Sequence, residues 1–152
     1  GGVSIYDHWR HGPKTLHGTM THNFPNQYYI GYIQGGLNAS VTVQFGKQAE
    51  HSAWIISEAL KRGATTVEPS QEAQDEYIRH LRSIAVDNSA YTNECTPSYF
   101  NNEGDQKKKR SIFGEPWGEG YYAFEGMLEK WRAAGKLDGL VLTSETELQP
   151  AE

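Results

Sequence analysis

The stretch from Phe24 to Asn38 constrains the fold more than any other: Phe24-Pro25-Asn26, then Gln27-Tyr28-Tyr29-Ile30-Gly31-Tyr32-Ile33, then Gln34-Gly35-Gly36-Leu37-Asn38. Pro25 and Asn26 suit a turn. Gln27 to Ile33 has the aromatic and β-branched composition of a buried central strand. The glycines after it permit close backbone approach, and a helical pattern follows. That order sets free helix N–H groups just beyond a strand's carboxyl end, where open α/β sheets bind flat ligands. The expected fold class is α/β.

Phe45, Ala49, Ala53, Ile56 and Leu60 recur at helical spacing, with Lys61 and Arg62 in the last turn and Gly63 as a stop. Ala64 to Pro69 reads as an extended connector. Ser70 is placed to cap a second helix with the stripe Ala73, Tyr77, Leu81, Ile84 and with Glu72, Asp75 and Glu76 near its start. A third helix is expected from Tyr121 to Ala134, with Phe124, Leu128 and Trp131 on one face and Gly135 ending it. Leu140-Val141-Leu142-Thr143 reads as a short strand. Residues 1–23, rich in glycine and containing Pro13, read as an irregular lead-in, and Ser144 to Glu152 as a frayed tail. From Asp87 to Trp117 no period survives and turn formers dominate. Such a stretch in a compact domain is expected to be a working loop.

A chain of 152 residues has the size of one domain and can bury roughly 70% of its unfolded surface. Nine Tyr and four Trp are many for its length, and amphipathic aromatics suit surfaces that meet something else. The net charge of −5 argues against a nucleic-acid module. Lys107-Lys108-Lys109-Arg110, the one basic run, reads as a solvated loop, with a cofactor phosphate contact or a localisation signal as alternatives. Cys95 stands alone, so no intramolecular disulfide forms, and a cytoplasmic location is expected. No apolar run is long enough to cross a bilayer, and no membrane partner is expected.

The chemical motifs narrow the field by what they lack. There is no G-x-G-x-x-G fingerprint, P-loop, G-x-S-x-G elbow or H-E-x-x-H pair. His8 and His11 form an H-x-x-H pair with His17 and His22 nearby, but in a Gly/Pro-rich segment without accompanying carboxylates, so no metal site is expected. What remains is the backbone after Gly36. Leu37-Asn38-Ala39-Ser40-Val41-Thr42-Val43-Gln44 mixes small, hydroxyl and amide residues just before a helix, a lining suited to an electron-rich carbonyl edge such as that of a flavin. Taken alone, those residues favour an ordinary strand-loop-helix in which Asn38 or Ser40 merely caps.

The succession Asp7-x-Trp9-x-x-Gly12-Pro13-x-Thr15-Leu16-x-Gly18, Phe24-Pro25-Asn26 and Gly35-Gly36-Leu37-Asn38 resembles the C-terminal portion of Baeyer–Villiger monooxygenases, the class B flavin enzymes. Val67-Glu68-Pro69, Tyr99-Phe100-Asn101-Asn102-Glu103-Gly104, Trp131-Arg132-Ala133-Ala134-Gly135 and Gly139-Leu140-Val141-Leu142-Thr143 continue it in the same order, over about residues 5 to 143. The Asn101-Asn102-Glu103-Gly104 variant is most similar to members acting on steroid-like or polycyclic ketones.

The resemblance implies FAD and NADPH as cofactors and insertion of one oxygen atom of O2 beside a ketone carbonyl to give an ester or lactone. It implies that residues 1–63 close a Rossmann-like FAD domain with a strand-glycine loop-helix unit. Residues 64–143 would then form a helical, loop-rich region with a control loop at about 89–104, and 144–152 a tail. Gln34, Gly35, Gly36, Leu37, Asn38, Thr42, Val43, Gln44 and Phe45 would bind the flavin. Tyr99, Phe100, Asn101 and Asn102 would face nicotinamide and substrate, at a place where relatives usually carry a tryptophan. Both dinucleotide fingerprints and the catalytic arginine lie upstream in relatives. The resemblance therefore implies no catalytic residue in this chain, inactivity of the chain alone, and the remainder of the same enzyme as its partner. The alternative is a non-enzymatic module that holds a small molecule or a protein through its aromatic loop; a yellow protein favours the enzyme and a colourless folded monomer the module.

Overall fold

The computed structural model describes residues 2–87, 94, 97 and 115–144. After a single turn, α1 (Ile5–His8), comes the long α2 (Val41–Lys61), which ends at Arg62 with Gly63 at φ 69°. β1 (Thr66–Pro69) leads into α3 (Gln71–Ser83), whose Ser70 cap accepts a hydrogen bond from the Ala73 amide at 3.1 Å. α4 (Tyr121–Ala134) stops at Gly135 in the left-handed conformation, and β2 (Leu140–Thr143) follows. β1 and β2 pair antiparallel, Thr66 opposite Thr143 and Pro69 opposite Leu140, and are the two strands of the sheet among the described residues. The predicted helices, Ser70 cap, terminal strand and α/β class thus form. The Ala64 to Pro69 connector is the partner strand.

The core has two parts joined by Leu140. Leu16, Tyr77, Ile78, Leu81, Trp117, Phe124 and Leu128 pack between α3 and α4. Met20, Ile55, Ala59, Ala64 and Val67 pack between α2 and the sheet. Both parts draw on the segment read as an irregular lead-in. Thr15, Leu16, His17, Thr19, Met20 and Thr21 are all buried, so this segment is a central layer of the molecule. It turns back on itself at His17 and Gly18, with a bridge between Leu16 and Met20. Gly18, at φ 70°, sits so close to the Ile33 carbonyl that a side chain there would overlap the oxygen. Gln74 of α3 holds the exit of the turn, accepting from the His22 amide at 2.9 Å.

Two expectations fail. Gln27 to Ile33 is not a strand: it runs without regular structure and bends from Gly31 to Gly35. No strand among the described residues offers it a ladder, and side chains take that role. Gln48 of α2 accepts from the Gly31 amide at 2.9 Å and donates to its carbonyl at 2.8 Å, and Gln44 donates to the same carbonyl at 3.3 Å. The predicted turn before it does form. Asn26 there docks on the free edge of β1, its amide donating to the Val67 carbonyl at 2.9 Å and its side-chain oxygen accepting from the Val67 amide at 3.0 Å.

The second failure is the face of α2. The buried residues are Gln44, Gln48, His51, Ser52, Ile55 and Ala59, whereas Ala49, Ala53, Ile56 and Leu60 of the expected stripe lie exposed. The helix turns its polar side inward because Gly31 and His17 need hydrogen-bond partners there. Among the described residues no helix is long and apolar enough to cross a membrane.

Candidate functional site

The residues from Gln34 to Phe45 divide into a buried clamp and an exposed rim. Gln34 is fully buried at φ 46°. Its side-chain oxygen accepts from the Thr15 hydroxyl at 2.9 Å, and its carbonyl accepts from the Tyr77 hydroxyl at 2.6 Å. Burial raises the Tyr77 pKa, so the phenol stays a donor. The Gly35 carbonyl accepts from the Trp117 amide at 3.1 Å. Gly36 lies flat against Phe124, where a Cβ would stand 2.8 Å from the Phe124 Cβ. The close approach that the double glycine allows is therefore made to α4. The Gln34 amide nitrogen has no partner among the described residues.

Beyond Gly36 the chain surfaces. Leu37 is 50% exposed, and the Asn38 amide donates to the Gln44 side chain at 2.9 Å. The Asn38 side-chain oxygen accepts from the Ser40 amide at 2.7 Å, shaping the approach to α2. Ser40 holds the N-cap position but caps nothing; its hydroxyl lies 3.2 Å from that of Thr42. No acidic residue stands in the first turn. The first amides of a helix have no partner inside it, so this end of α2 combines uncapped donors with the positive end of the helix dipole. Val41 and Val43 flank it, 41% and 47% exposed, and Thr42 is exposed. Gln44 is buried, and the half-buried Phe45 packs its ring 5.7 Å from that of Tyr32. An opening with N–H donors and an apolar rim suits an anionic or carbonyl-bearing planar group.

Tyr99, Phe100, Asn101 and Asn102, Cys95 and the basic run Lys107 to Arg110 lie outside the described residues, as does most of the 89–104 loop. Among the described residues no group of three His, Cys, Asp or Glu could hold a metal ion. His8 lies beside the Thr21 hydroxyl at 3.3 Å, and His22 beside the Pro69 carbonyl at 2.9 Å. An apolar groove of about 250 Å³, lined by Tyr28, Ile56, Ala59, Leu60, Ala64 and Val67, lies near the C-terminal end of α2. The helix is about 30 Å long, so the groove is remote from the rim.

Sequence reasoning missed the partners that hold the clamp: Thr15, Tyr77, Trp117 and Phe124. Tyr77 and Phe124 were recognisable as core positions. That their contacts would be the backbone of Gln34 to Gly36 carries no local signal.

No family model matches the chain. Among curated proteins, pentalenolactone D synthase of Streptomyces arenae is 33% identical over 142 residues, 93% of this chain and 24% of that protein. A FAD-binding monooxygenase of Penicillium brasilianum is 36% identical over 92% of this chain and 23% of its own length. Of solved structures, the polycyclic ketone monooxygenase of Thermothelomyces thermophila superposes with a TM-score of 0.79 at 27% identity, over 95% of this chain and 23% of that one. Cyclohexanone monooxygenase of Rhodococcus sp. Phi1, bound to NADP+, gives 0.75 at 25% identity, over 94% and 26%. The chain spans about a quarter of the length of the curated relatives it matches. In sequence and in fold it is homologous to a segment of the Baeyer–Villiger and related FAD-binding monooxygenases.

Proposed function

We propose that this chain is the C-terminal section of a cytoplasmic, FAD- and NADPH-dependent Baeyer–Villiger monooxygenase, and that Leu37 to Val43 is its contribution to the flavin site. The observation that carries the reading is the N-terminus of α2, which among the described residues has no side-chain cap and no acidic residue in its first turn, opening beside exposed Leu37, Val41 and Val43. Its partner is the rest of the same enzyme, with both dinucleotide-binding domains, and its substrate a bulky ketone. The overall reaction takes ketone, O2, NADPH and a proton to ester or lactone, water and NADP+. Bound FAD supplies the activation of O2.

This chain's residues bind and orient. The amides of the first turn of α2 would hold the ring by donating to its electron-rich carbonyl edge, where the helix dipole would favour negative charge. Leu37, Val41 and Val43 exclude water from that edge. The clamp of Thr15, Tyr77, Trp117 and Phe124 fixes Gln34 to Gly36, and so fixes where the rim begins. Tyr99, Phe100, Asn101 and Asn102, outside the described residues, are assigned by the resemblance to the nicotinamide and substrate side of the site. No residue of this chain is assigned a catalytic role.

The test is to combine the chain with the separately produced N-terminal remainder of the enzyme. Retained flavin absorbance and ketone-dependent NADPH oxidation are expected, and recovery of neither overturns the reading. Thr42→Asp, which puts a carboxylate among the first amides of α2, should lower flavin affinity about 5- to 30-fold while the chain stays folded, since one misplaced charge costs about 1–2 kcal/mol. Equal affinity for the variant would remove Thr42 and its neighbours from the flavin site.

A further inference from the structure

His17 and His51 form a buried pair that the flavin reading does not use. His17 Nδ1 lies 3.3 Å from His51 Nε2, and His51 Nδ1 lies 3.1 Å from Arg132 Nη1. The exposures of the two residues are 6% and 0%. A guanidinium only donates, so His51 Nδ1 must accept. Neutral His51 then carries its proton on Nε2 and donates it to His17 Nδ1, which leaves the His17 proton on Nε2. The three residues belong to α4, α2 and the 13–21 layer, so the chain of bonds ties together three separate elements. The Trp131 ring stands 5.0 Å from that of His17 and 5.4 Å from that of His51.

A proton has no place in this arrangement. On His51 Nδ1 it would face the guanidinium donor, and on His17 Nδ1 it would face the His51 donor. Either way one link becomes a repulsion between two N–H groups. Among the described residues few other groups face the pair. α4 brings the Arg132 cation, on which Glu50 of α2 and Glu125 of α4 act. α3 brings Tyr77, whose ring meets His17 edge-on at 5.5 Å and whose hydroxyl is spent on Gln34. Lys14, of the same layer as His17, points to Asp75 at 3.9 Å. Burial, and then Arg132, pull the His17 pKa down to about 3. Burial, His17 and Arg132 pull that of His51 down to about 2.

We propose that the directed chain from Arg132 through His51 to His17 is a proton-sensitive latch that sets α2, and with it the Gln34 to Phe45 stretch, against α4. His51 and His17 are its positioning residues. Protonation breaks the latch as a unit: the imidazoles do not titrate while it is closed, and both take up protons when it opens. The latch is a property of this chain and does not rest on the flavin assignment.

The experiment uses the full chain. Imidazole nitrogen NMR at pH 7.5 should find both His17 and His51 as the Nε2–H tautomer, and a His51 Nδ1–H tautomer would overturn the proposal. On acidification from pH 7.5 to 4.5, Trp131 fluorescence should fall in one cooperative step below pH 6.5, with uptake of about two protons by the pair. His51→Gln keeps an acceptor for Arg132 and a donor for His17 but cannot titrate; it should fold with the uptake reduced to about one proton. Independent titration of both imidazoles near pH 6.5, or unchanged proton uptake in His51→Gln, would overturn the latch. The tautomer measurement on the unsubstituted chain decides the matter even where the variant does not fold.

Discussion

Gly18→Ala and Gly63→Ala form a matched pair that separates two costs of replacing a glycine. The two glycines have nearly the same backbone, φ 70° and φ 69°. Alanine in this left-handed region costs about 1 kcal/mol at either site. Their surroundings differ. At Gly63 a Cβ would meet nothing within 4 Å, whereas at Gly18 it would overlap the Ile33 carbonyl oxygen and stand 3.3 Å from the Gln34 carbonyl carbon. Both atoms are backbone and cannot swing aside, so the overlap adds about 1–3 kcal/mol, the usual cost of forcing a side chain into a packed core. Gly18→Ala should therefore lose about 2–4 kcal/mol and Gly63→Ala about 1 kcal/mol. Urea denaturation followed by tryptophan fluorescence measures both. With a slope of about 2 kcal/mol/M, the midpoints should fall by about 1–2 M and about 0.5 M respectively. Equal shifts would refute the claim that the 13–21 turn is wedged against the start of the clamp.

Gln48→Ala removes both side-chain bonds to Gly31 and leaves its half-buried amide without that acceptor, a loss of about 1–2 kcal/mol. Faster hydrogen exchange at the Gly31 amide, by at least about tenfold, checks it, and unchanged protection would refute it. Stability should also depend on pH through His17 and His51. Both folded pKa values lie below the unfolded 6.5, so the unfolded state binds more protons and stability falls as pH drops through 6.5 toward about 3. At pH 5 each imidazole should cost about 2 kcal/mol relative to pH 7.5, read from urea midpoints; a midpoint that does not move between those values refutes it. The raised pKa of buried Glu125 opposes this, since its folded form gains a proton earlier than the unfolded one. Leu60→Glu, at a residue 67% exposed, should leave the chain's own stability within about 0.5 kcal/mol yet lower flavin recovery when the two parts of the enzyme are combined.

Where local chemistry decides the outcome, the sequence is legible. Ser70 caps α3 because a serine before an amphipathic run has a free amide to accept from, and Gly63 and Gly135 end helices because left-handed backbone favours glycine. Tyr77, Leu81, Phe124 and Leu128 are core because their spacing is helical and their partners belong to the same chain. Gln27 to Ile33 was misread because strand composition does not supply a neighbouring strand, and backbone groups accept whatever partner is near. Here those partners are the Thr19 carbonyl, at 2.8 Å from the Tyr29 amide, and two glutamines, which no hydropathy pattern marks as buried. The 13–21 layer was missed for a related reason. Its threonines are polar by composition, but two of the hydroxyls are spent internally, Thr15 on Gln34 and Thr21 at 2.7 Å from the Lys14 carbonyl, while that of Thr19 is buried with no partner among the described residues.

The face of α2 is the instructive case. Periodicity correctly located an apolar stripe, and the inference that failed was that the stripe faces this chain's own core. The helix has two buriable sides. The polar side is held by Gly31, His17 and Arg132 through bonds that would be costly to leave unmade. The apolar stripe, from half-buried Phe45 through Ala49, Ala53 and Ile56 to Leu60 beside the groove, is mostly exposed. Single exposed apolar residues are ordinary, but a stripe of them along about 22 Å of one helix face is a surface shaped for contact. Under the proposed function that contact is with the other domains of the monooxygenase at one end and with the flavin edge at the other. The same helix would then join cofactor, domain interface and histidine latch. A change at Leu60 should therefore be felt at Thr42, about 27 Å away along the same helix.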